Sequence, residues 1–394
     1  MTVFSGLDIL IASEFQILKN KSVGLLCNQA SIARDHQHIV DVFKTAHQDG
    51  RFELRCLIGP QHGLWGHTQD NMIEWQGYSD RRIGVPVYSL YGEHREPTAE
   101  MLDGVETLVV DLQDVGAKYY TFIWSLFLSM KACLERGIEV VVLDRPNPIN
   151  GEQVEGPFYN HDFKSFVGLE SLAIRHGMTI GEIADYFKSE FYPESKLTVV
   201  EMENWRRSMW FEDTGLPWAM PSPNIPVADS CVVYPGMCLL EATNISEGRG
   251  TTRPFELFGA SWMNGWKFTA ELQKYHLPGV VFRPLEFQPT FHKHAGQICG
   301  GCFIHVTDRQ AFRPFLTTIA MLHAVIKFHP EAFEWKAPPY EYEYEKMPFD
   351  ILVGNDWLRE MLDSLQPLQD LEKRWEAEST DFRKMRKQFL RYAS

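Results

Sequence analysis

The sequence lacks both a membrane-spanning stretch and an excess of positive charge. No apolar run reaches the about 18 residues that a membrane-spanning helix requires, and the amino-terminal "MTVFSGLDILIASEF" has no basic segment followed by an apolar one. The formal net charge is -14. Because nucleic acids and anionic membrane surfaces attract basic patches, we expect neither as a partner. The chain is expected to be cytoplasmic, with a mature chain whose signal was removed as the alternative.

The short motifs of phosphate and serine chemistry are also missing. The sequence has no GxGxxG after a predicted strand, no GxxxxGK[ST] and no GxSxG. The first two form the glycine-rich loops that hold a dinucleotide or a triphosphate, and the third is the nucleophile turn of the α/β-hydrolases. A nucleotide-using α/β enzyme is therefore disfavoured, and we expect no dinucleotide cofactor.

Cysteine is present in an odd number, seven, and its one CxxC stands alone at Cys299 and Cys302. Because a structural zinc site usually combines two such pairs, we interpret "CGGC" as a glycine-rich strand edge and predict no metal. Cys27, Cys56 and Cys133 lie inside apolar runs. These three thiols are expected to be reduced and buried.

Four short runs are continuously apolar: residues 22–28, 52–58, 105–112 and 138–144. Parallel strands that are buried on both faces show this pattern, whereas half-exposed strands alternate. Helical patterns such as "HIVDVFKTAH" lie between the runs, and Thr179 and Glu182 form a capping box before a further helix. Strands and helices that alternate at this pitch predict a doubly wound parallel α/β sheet.

The length of 394 residues favours two domains. From about residue 231 the pattern changes to short strands followed by helices. We predict an N-terminal domain over residues 1–230, a smaller α+β domain over residues 231–394, and a cleft between them. The long connection over residues 59–104 is rich in polar and aromatic residues, and we expect it to form a lid or wall of a site.

Polar side chains follow each of the four predicted strands. They are Asn28, then Gln61 and His62, then Asp111 and Asp114, and finally Arg145 and Asn147. Ligands of such sheets bind beyond the carboxyl ends of the strands. A surface turn is the alternative for each residue alone, but the four groups together favour a binding site.

Carboxylates at loop positions suggest the chemistry of that site. They are Asp111, Asp114, Asp144, Glu155 and Glu247. Glycoside cleavage uses two such groups, one of which protonates the leaving oxygen while the other activates water or attacks the sugar. For each carboxylate alone, a capping or turn role is the alternative.

Seven motifs, taken in order, resemble those of the NamZ-type exo-β-N-acetylmuramidases, a bacterial family. They are "GPQHGLWG", "VYSLYG", "DLQDVGAKYYTF", "LDRPNPING", "VEGP", "PSPNIP" and "EGRGTTRPFELFGA". The resemblance implies a Rossmann-like N-terminal domain, a smaller C-terminal domain and an active site between them. It also implies removal of a terminal β-linked N-acetylmuramic acid from peptidoglycan fragments during cell-wall recycling, without a dinucleotide or a metal.

Two positions depart from the pattern of this family. Many relatives have "PEHG" where this chain has Gln61 before His62, and a glutamine can only donate and accept hydrogen bonds. Either another carboxylate does the proton work, or the substrate or activity differs. Lys118 stands where an arginine is common, and a lysine lacks the two-pronged geometry that suits a carboxylate.

Muramic acid carries a lactyl carboxylate, so its pocket should combine cationic side chains with amides and ring-stacking aromatics. On this basis substrate binding is predicted for Gln61, Asn28, Asp111, Tyr120, Arg145, Asn147, Asn224, Arg249 and Thr251. The alternative for Arg249 is an internal salt bridge to the nearby Glu247.

Because Gln61 cannot ionise, catalysis needs another titrating residue. Glu247 is the first candidate, because partial burial would raise its pKa, although Arg249 would lower it. His62 is the second, because its ordinary pKa lies near neutrality, and Asp114 would be the ionised partner. A non-catalytic muropeptide-binding protein is the competing interpretation, and a homodimer stays open as the assembly.

Overall fold

The computed structural model describes residues 2–69, 72–158 and 161–393, and within these ranges the N-terminal part is built on a seven-stranded sheet. Its strands are β1 Ser22–Cys27, β2 Glu53–Gly59, β3 Tyr78–Ser79, β4 Pro86–Ser89, β5 Thr107–Asp111, β6 Glu139–Leu143 and β7 Leu197–Val200. They lie in the order β3-β4-β2-β1-β5-β6-β7, and each pair is parallel except β3 with β4. The predicted doubly wound, mostly parallel sheet is confirmed.

Helices cover this sheet because its central strands have no polar face. β5 is buried at every position, and β6 at every position after its first. The helices of this part are α1 Gly6–Ala12, α2 Ile39–Gln48, α3 Phe122–Leu134 and α4 Ile180–Glu190. α4 begins at the predicted capping box, in which both reciprocal hydrogen bonds between Thr179 and Glu182 are present. Among the described residues no helix is long and apolar enough to cross a membrane.

The direction of winding changes between β1 and β5, because β2 and β4 lie on one side of β1 while β5, β6 and β7 lie on the other. If the short β3 is set aside, the order corresponds to 3-2-1-4-5-6, the arrangement of doubly wound nucleotide-binding sheets. Ligands of such sheets bind beyond the carboxyl ends near this change of direction. The loops after β1, β2 and β5 therefore meet at one edge of the sheet.

The connection over residues 59–104 contains two strands that the sequence pattern did not predict. β4 pairs in parallel with β2 through Leu57, Ile58 and Gly59. It has only four residues with alternating burial, which is too short for a clear periodic signal. β4 leads the chain to Tyr91, a residue that contacts the site described below.

The C-terminal part has a three-stranded antiparallel sheet in the order β8-β10-β9. The strands are β8 Leu257–Ala260, β9 Val280–Phe287 and β10 Cys299–Val306, and the helices are α5 Ala228–Met237, α6 Gly265–Gln273, α7 Pro314–Phe328, α8 Pro348–Val353, α9 Trp357–Asp363 and α10 Leu368–Met385. Short 3-10 helices cover Gln16–Leu18, His161–Phe163, Phe211–Thr214, Cys238–Ala242 and Arg386–Phe389. The second, smaller sheet with its helices agrees with the predicted fold class.

The "CGGC" segment is part of the buried strand β10. A β-carbon at Gly301 would lie 2.0 Å from the Phe258 carbonyl oxygen, and one at Gly300 would lie 2.2 Å from that of Met263. The two glycines are therefore required for close approach of the neighbouring backbone. Cys299 and Cys302 are buried and free, and so are Cys27, Cys56 and Cys133, as predicted for those three.

Glu155, in the "VEGP" motif, ties the C-terminal helix α7 to the N-terminal part. Its carboxylate accepts hydrogen bonds from the backbone N–H groups of Leu316 at 2.9 Å and Phe315 at 3.2 Å. These donors belong to the first turn of α7, which has no side-chain cap from its own Arg313. A carboxylate there satisfies donors that the helix leaves open and interacts favourably with the helix dipole. Glu155 therefore has the capping role that the sequence left as an alternative.

Glu155→Ala should lower the free energy of unfolding by about 1–3 kcal/mol, because two buried N–H groups lose their acceptor. Urea denaturation measures this change. Glu152→Ala is the matched control, because Glu152 lies three residues away with an exposed side chain, and it should change stability little. Equal stability of the two variants would show that the cap is not needed.

Candidate active site

A narrow cavity lies where the loops after β2 and β5 meet segments from the C-terminal part, with an empty volume of about 420 Å³. Its lining consists of buried amides, tyrosines, two glutamates and an arginine, together with a few apolar residues. The lining residues are Gln61, His62, Tyr119, Tyr120, Thr121, Val167, Ser222, Asn224, Ile225, Tyr234, Cys238, Glu241, Arg249, Phe255, Tyr340 and Glu341.

The turn after β2 places Gln61 and His62 in this cavity. His62 has a φ of 69° and Gly63 one of 87°, so the chain turns sharply directly after the strand, in a conformation that is unusual for a histidine. The ring Nδ1 of His62 lies 2.9 Å from the Thr68 carbonyl oxygen. The Thr121 hydroxyl donates to Gln61 Oε1 at 2.6 Å, which leaves the N–H groups of this amide to serve as donors.

The "PSPNIP" segment forms a second wall and brings Asn224 to the cavity. Asn224 donates from Nδ2 to the Gln69 carbonyl oxygen at 2.9 Å. Asn28, at the end of β1, donates to the Pro221 carbonyl oxygen at 2.8 Å. Asn28 does not line the cavity, so its observed contact positions the segment that does. Tyr120 lines the cavity as predicted, and burial raises the pKa of its hydroxyl well above the ordinary value.

A third wall is formed by Glu241, Arg249 and Tyr340. Arg249 Nη2 lies 2.6 Å from Glu241 Oε1, and the Tyr340 hydroxyl donates to Glu241 Oε2 at 2.7 Å. Each carboxylate oxygen of Glu241 therefore has a strong donor. The ion pair and the hydrogen bond together fix the position of this buried side chain.

Glu341 is the second carboxyl group of the cavity, and its environment is different. Its side chain is buried, and the Tyr91 hydroxyl donates to its Oε2 at 2.8 Å. Burial raises the pKa of Glu341 to about 7, with a further increase from the charge of Glu241, although Tyr91, Arg95 and Arg249 act in the opposite direction. Near neutral pH this group can therefore hold a proton.

Glu241 and Glu341 thus form a pair of buried carboxyl groups with different partners, an arginine and a tyrosine for Glu241 and a tyrosine for Glu341. Acid and base chemistry uses paired carboxyl groups whose environments differ. Two protein-family models match this chain. The model described as "Exo-beta-N-acetylmuramidase NamZ, N-terminal" matches residues 23–229, and the corresponding C-terminal model matches residues 232–392. The chain belongs to the NamZ family.

Relatives of this NamZ-family chain span nearly its whole length. The peptidoglycan β-N-acetylmuramidase NamZ of Bacillus subtilis (strain 168) is 41% identical over 390 residues, which cover 99% of this chain and 91% of that protein. The crystal structure of a DUF1343 family protein from Bacteroides fragilis NCTC 9343 has a TM-score of 0.89 at 30% identity, with 99% of each chain covered. A second such protein from that organism has a TM-score of 0.77 at 27% identity, with 100% of each chain covered.

Glu247 does not have the properties predicted for a general acid in this NamZ-family chain. It is fully buried and lies 2.8 Å from Lys293 Nζ, 3.3 Å from His292 Nδ1 and 3.4 Å from Arg249 Nε. Burial acts to raise its pKa, but the charges of Lys293, His292 and Arg249 outweigh burial and lower the pKa to about 2. The expectation of a pKa near neutrality is wrong, because the sequence showed only one of the three cationic partners. Glu247 also lies outside the cavity lining.

Asp114, predicted as the ionised partner, also lies outside the cavity lining. Its Oδ2 lies 3.2 Å from Nε2 of the buried His176 and accepts a hydrogen bond from the Gly116 N–H at 2.7 Å. Asn147 accepts from the Ile149 N–H at 3.1 Å. Both side chains stabilise the turns that contain them, so the predicted convergence of strand-end residues holds for only part of the set.

Arg145 and Asp111 pair with each other rather than with the cavity. Asp111 is the last residue of β5, and Arg145 follows the adjacent strand β6. The Arg145 guanidinium contacts the Asp111 carboxylate through Nε and through Nη2, the latter at 2.7 Å. Both side chains are buried. This two-pronged pairing uses the geometry that was predicted to bind a substrate carboxylate, and neither side chain belongs to the lining of the cavity.

Two further residues also differ from the sequence expectations. The Thr251 hydroxyl donates to the Gly248 carbonyl oxygen at 2.6 Å and lies outside the cavity lining. Lys118 is fully buried, and burial lowers its pKa to about 7. Lys118 is absent from the cavity lining too, so the lysine at this position does not alter the cavity directly.

Sequence reasoning missed Glu241 and Glu341 as site residues. Glu241 lies in the apolar stretch "GMCLLEA", and a carboxylate in such a context needs a buried partner, which was a usable signal. Glu341 lies in "PPYEYEYEK", where several acidic residues alternate with tyrosines. Nothing in that run distinguishes the buried Glu341 from the half-buried Glu343 and the exposed Glu345.

Glu247→Gln should lower the free energy of unfolding by about 3 kcal/mol at neutral pH. This is the free energy that corresponds to a decrease of the Glu247 pKa from 4.5 to about 2 when the protein folds. Because the folded-state pKa is lowered, this stabilisation is present above the ordinary pKa of 4.5 and is lost as the pH falls toward about 2. The difference between wild type and variant should therefore shrink between pH 7 and pH 3, as urea denaturation at both values would measure.

Glu286→Gln, on the exposed face of β9, is the control for this substitution. It should leave stability unchanged at both pH values. If Glu247→Gln is as stable as this control at pH 7, the buried ion cluster does not contribute as described.

Proposed function

We propose that this protein is an exo-β-N-acetylmuramidase, which hydrolyses a terminal β-linked N-acetylmuramic acid from peptidoglycan fragments in cell-wall recycling. The observation that carries the proposal is the pair of buried carboxyl groups in one cavity, Glu341 with a pKa raised to about 7 and Glu241 paired with Arg249. Membership of the NamZ family and the peptidoglycan β-N-acetylmuramidase of Bacillus subtilis support it. The active site then lies between an N-terminal domain of residues 1–230 and a C-terminal domain of residues 231–394.

The chemistry of glycoside hydrolysis fits two carboxyl groups in different states. Cleavage passes through a positively charged, oxocarbenium-like sugar, while the leaving oxygen must gain a proton. An ionised Glu241 stabilises the positive charge, and a protonated residue supplies the proton. No metal is needed for this route. Among the described residues no cluster of three or more His, Cys, Asp or Glu side chains could hold one.

Substrate recognition follows from the polar lining of the cavity. Arg249 and His62 supply positive or donor groups for the lactyl carboxylate of muramic acid. Gln61 and Asn224 supply amides for the hydroxyl and acetamido groups, and Tyr120 supplies an aromatic face. This combination of a few directed polar groups with aromatic walls is typical of sugar and small-molecule sites.

A muropeptide-binding protein without catalytic activity is the second candidate, and Gln61 is the observation that favours it. Gln61 lines the cavity where many relatives have a glutamate, and its amide has no proton to transfer at neutral pH. Binding without turnover would follow if position 61 supplied the essential proton in the family.

An aryl β-N-acetylmuraminide separates these two functions. We expect release of the phenol. We expect kcat/KM for the matching β-N-acetylglucosaminide to be lower by about tenfold or more, because it lacks the lactyl carboxylate and the contacts which that group makes. Absorbance of the released phenol measures both rates.

Calorimetry with N-acetylmuramic acid is the complementary measurement. Saturable binding without any phenol release would assign the protein to the binding class. Equal kcat/KM for the two glycosides would contradict recognition of the lactyl group.

A further inference from the structure

Glu341 lines a second depression besides the cavity. An open groove, with an empty volume of about 1060 Å³, runs past Arg95, Lys164, Phe166 and Tyr342 on the far side of Glu341. Of the described residues, Glu341 is the one that belongs to the lining of both spaces. The cavity and the groove therefore both border this residue.

We propose that Glu341 is the proton donor of the reaction and that the open groove receives the leaving part of the substrate. The inference rests on the proposed function and names the residues that perform it. A glycosidic oxygen joins the sugar that is cleaved to the group that leaves, so it must lie at the border between their two binding sites. A residue that protonates this oxygen must therefore contact both sites, and Glu341 has that position.

The surroundings hold Glu341 in place without a direct ion pair. Among the described residues no cation lies within ion-pair distance of this carboxyl group, in contrast to Glu241 and Glu247. Its backbone has a φ of 45° and that of Tyr342 a φ of 66°, a left-handed pair that is costly for residues with side chains. Arg95 lies between the rings of Tyr91 and Tyr342, 4.3 Å and 4.2 Å from their centroids. This stack fixes the tyrosine that donates to Glu341.

The charged and titratable groups that face Glu341 come from three segments. Tyr91 and Arg95 follow β4, Glu241 belongs to the 3-10 helix Cys238–Ala242, and Arg249 lies in the turn before β8. Tyr91, Arg95 and Arg249 favour the carboxylate, while burial and Glu241 favour the protonated acid, and burial is the largest of these effects. The result is an acid that is protonated below about pH 7.

In the proposed step the Glu341 carboxyl proton moves to the glycosidic oxygen as the bond from C1 of the sugar to that oxygen breaks. The leaving group departs through the groove as a neutral alcohol, and the carboxylate of Glu341 remains. The ionised Glu241 stabilises positive charge on the sugar ring. A water molecule then adds its oxygen to C1, and the proton it releases restores the acid. One glycoside and one water give one reducing sugar and one alcohol.

The leaving-group dependence of Glu341→Gln tests the proposal. Turnover of an alkyl β-N-acetylmuraminide should fall by about a hundredfold or more, the usual scale for a lost general acid. Turnover of the 2,4-dinitrophenyl glycoside should fall less than tenfold, because an acidic phenol leaves without protonation. Glu345→Gln is the matched control, since Glu345 lies in the same acidic run with an exposed side chain, and it should retain both rates.

The pH profile provides an independent readout. Wild-type kcat/KM should fall as the pH rises through about 7, where Glu341 loses its proton, and Glu341→Gln should lose this alkaline limb. Tyr91→Phe removes a hydrogen bond that lowers the pKa of Glu341. It should therefore raise that pKa and move the limb to higher pH, and this second variant keeps the test valid if Glu341→Gln folds poorly.

Three outcomes would overturn the assignment. If Glu341→Gln lowers the turnover of both glycosides equally and its pH profile keeps the alkaline limb, Glu341 has only a structural role. If Gln61→Glu raises turnover of the alkyl glycoside many-fold while Glu341→Gln is active, the proton comes from position 61. If wild-type protein hydrolyses neither glycoside, the proposed function itself fails, which is distinct from the first two results.

Discussion

The buried guanidinium of Arg249 is the interaction on which the site depends. It lies 2.6 Å from Glu241 and 3.4 Å from Glu247, so one side chain serves two buried carboxylates. A buried carboxylate that loses its cation costs several kcal/mol. The charged state of Glu241, and with it the third wall of the cavity, therefore depends on the geometry of the "SEGRG" turn. Lys293 extends the same network, because it contacts Glu247 and the Leu240 carbonyl oxygen.

The carboxyl groups near the cavity lie in different electrostatic environments, because cationic side chains are unequally distributed around them. Glu247 has three cationic neighbours and Glu241 has Arg249, whereas Glu341 has a tyrosine hydroxyl. Burial is common to all three groups, so burial alone cannot decide which one carries a proton. The charged and hydrogen-bonding partners of a carboxyl group decide whether it carries a proton, and these partners come from segments that are distant in the sequence.

The fold could be predicted from the sequence to a greater extent than the site. Continuous apolar runs identify central strands directly, because a strand that is buried on both faces leaves no polar position. The strand-end rule also pointed to Gln61 and His62, and both line the cavity. The rule could not show that Asp111, at the end of β5, and Arg145, just after β6, would form an ion pair with each other. That pairing depends on how the two strands are aligned in the sheet, which the sequence does not show. Asp114 and Asn147 likewise bond within their own surroundings.

The glycines of "SEGRG" allow close approach of another group, as the sequence predicts, but that group is not a ligand. They were expected to let the backbone approach a ligand, and close approach is indeed what they provide. A β-carbon at Gly250 would lie 2.6 Å from the Phe291 carbonyl oxygen, and one at Gly248 would lie 2.8 Å from that of Leu257. The approaching group is protein backbone, which brings His292 and Lys293 against Glu247.

Gln61 has a physical consequence for the two carboxyl groups that remain in the cavity. A glutamate at position 61 would add a third buried carboxyl group, and like charges in one site raise each other's pKa. The neutral amide of Gln61 adds no such repulsion beside Glu341, whose pKa burial raises to about 7. The substitution that removes an obvious acid from the family motif therefore also defines the environment in which Glu341 can serve as one.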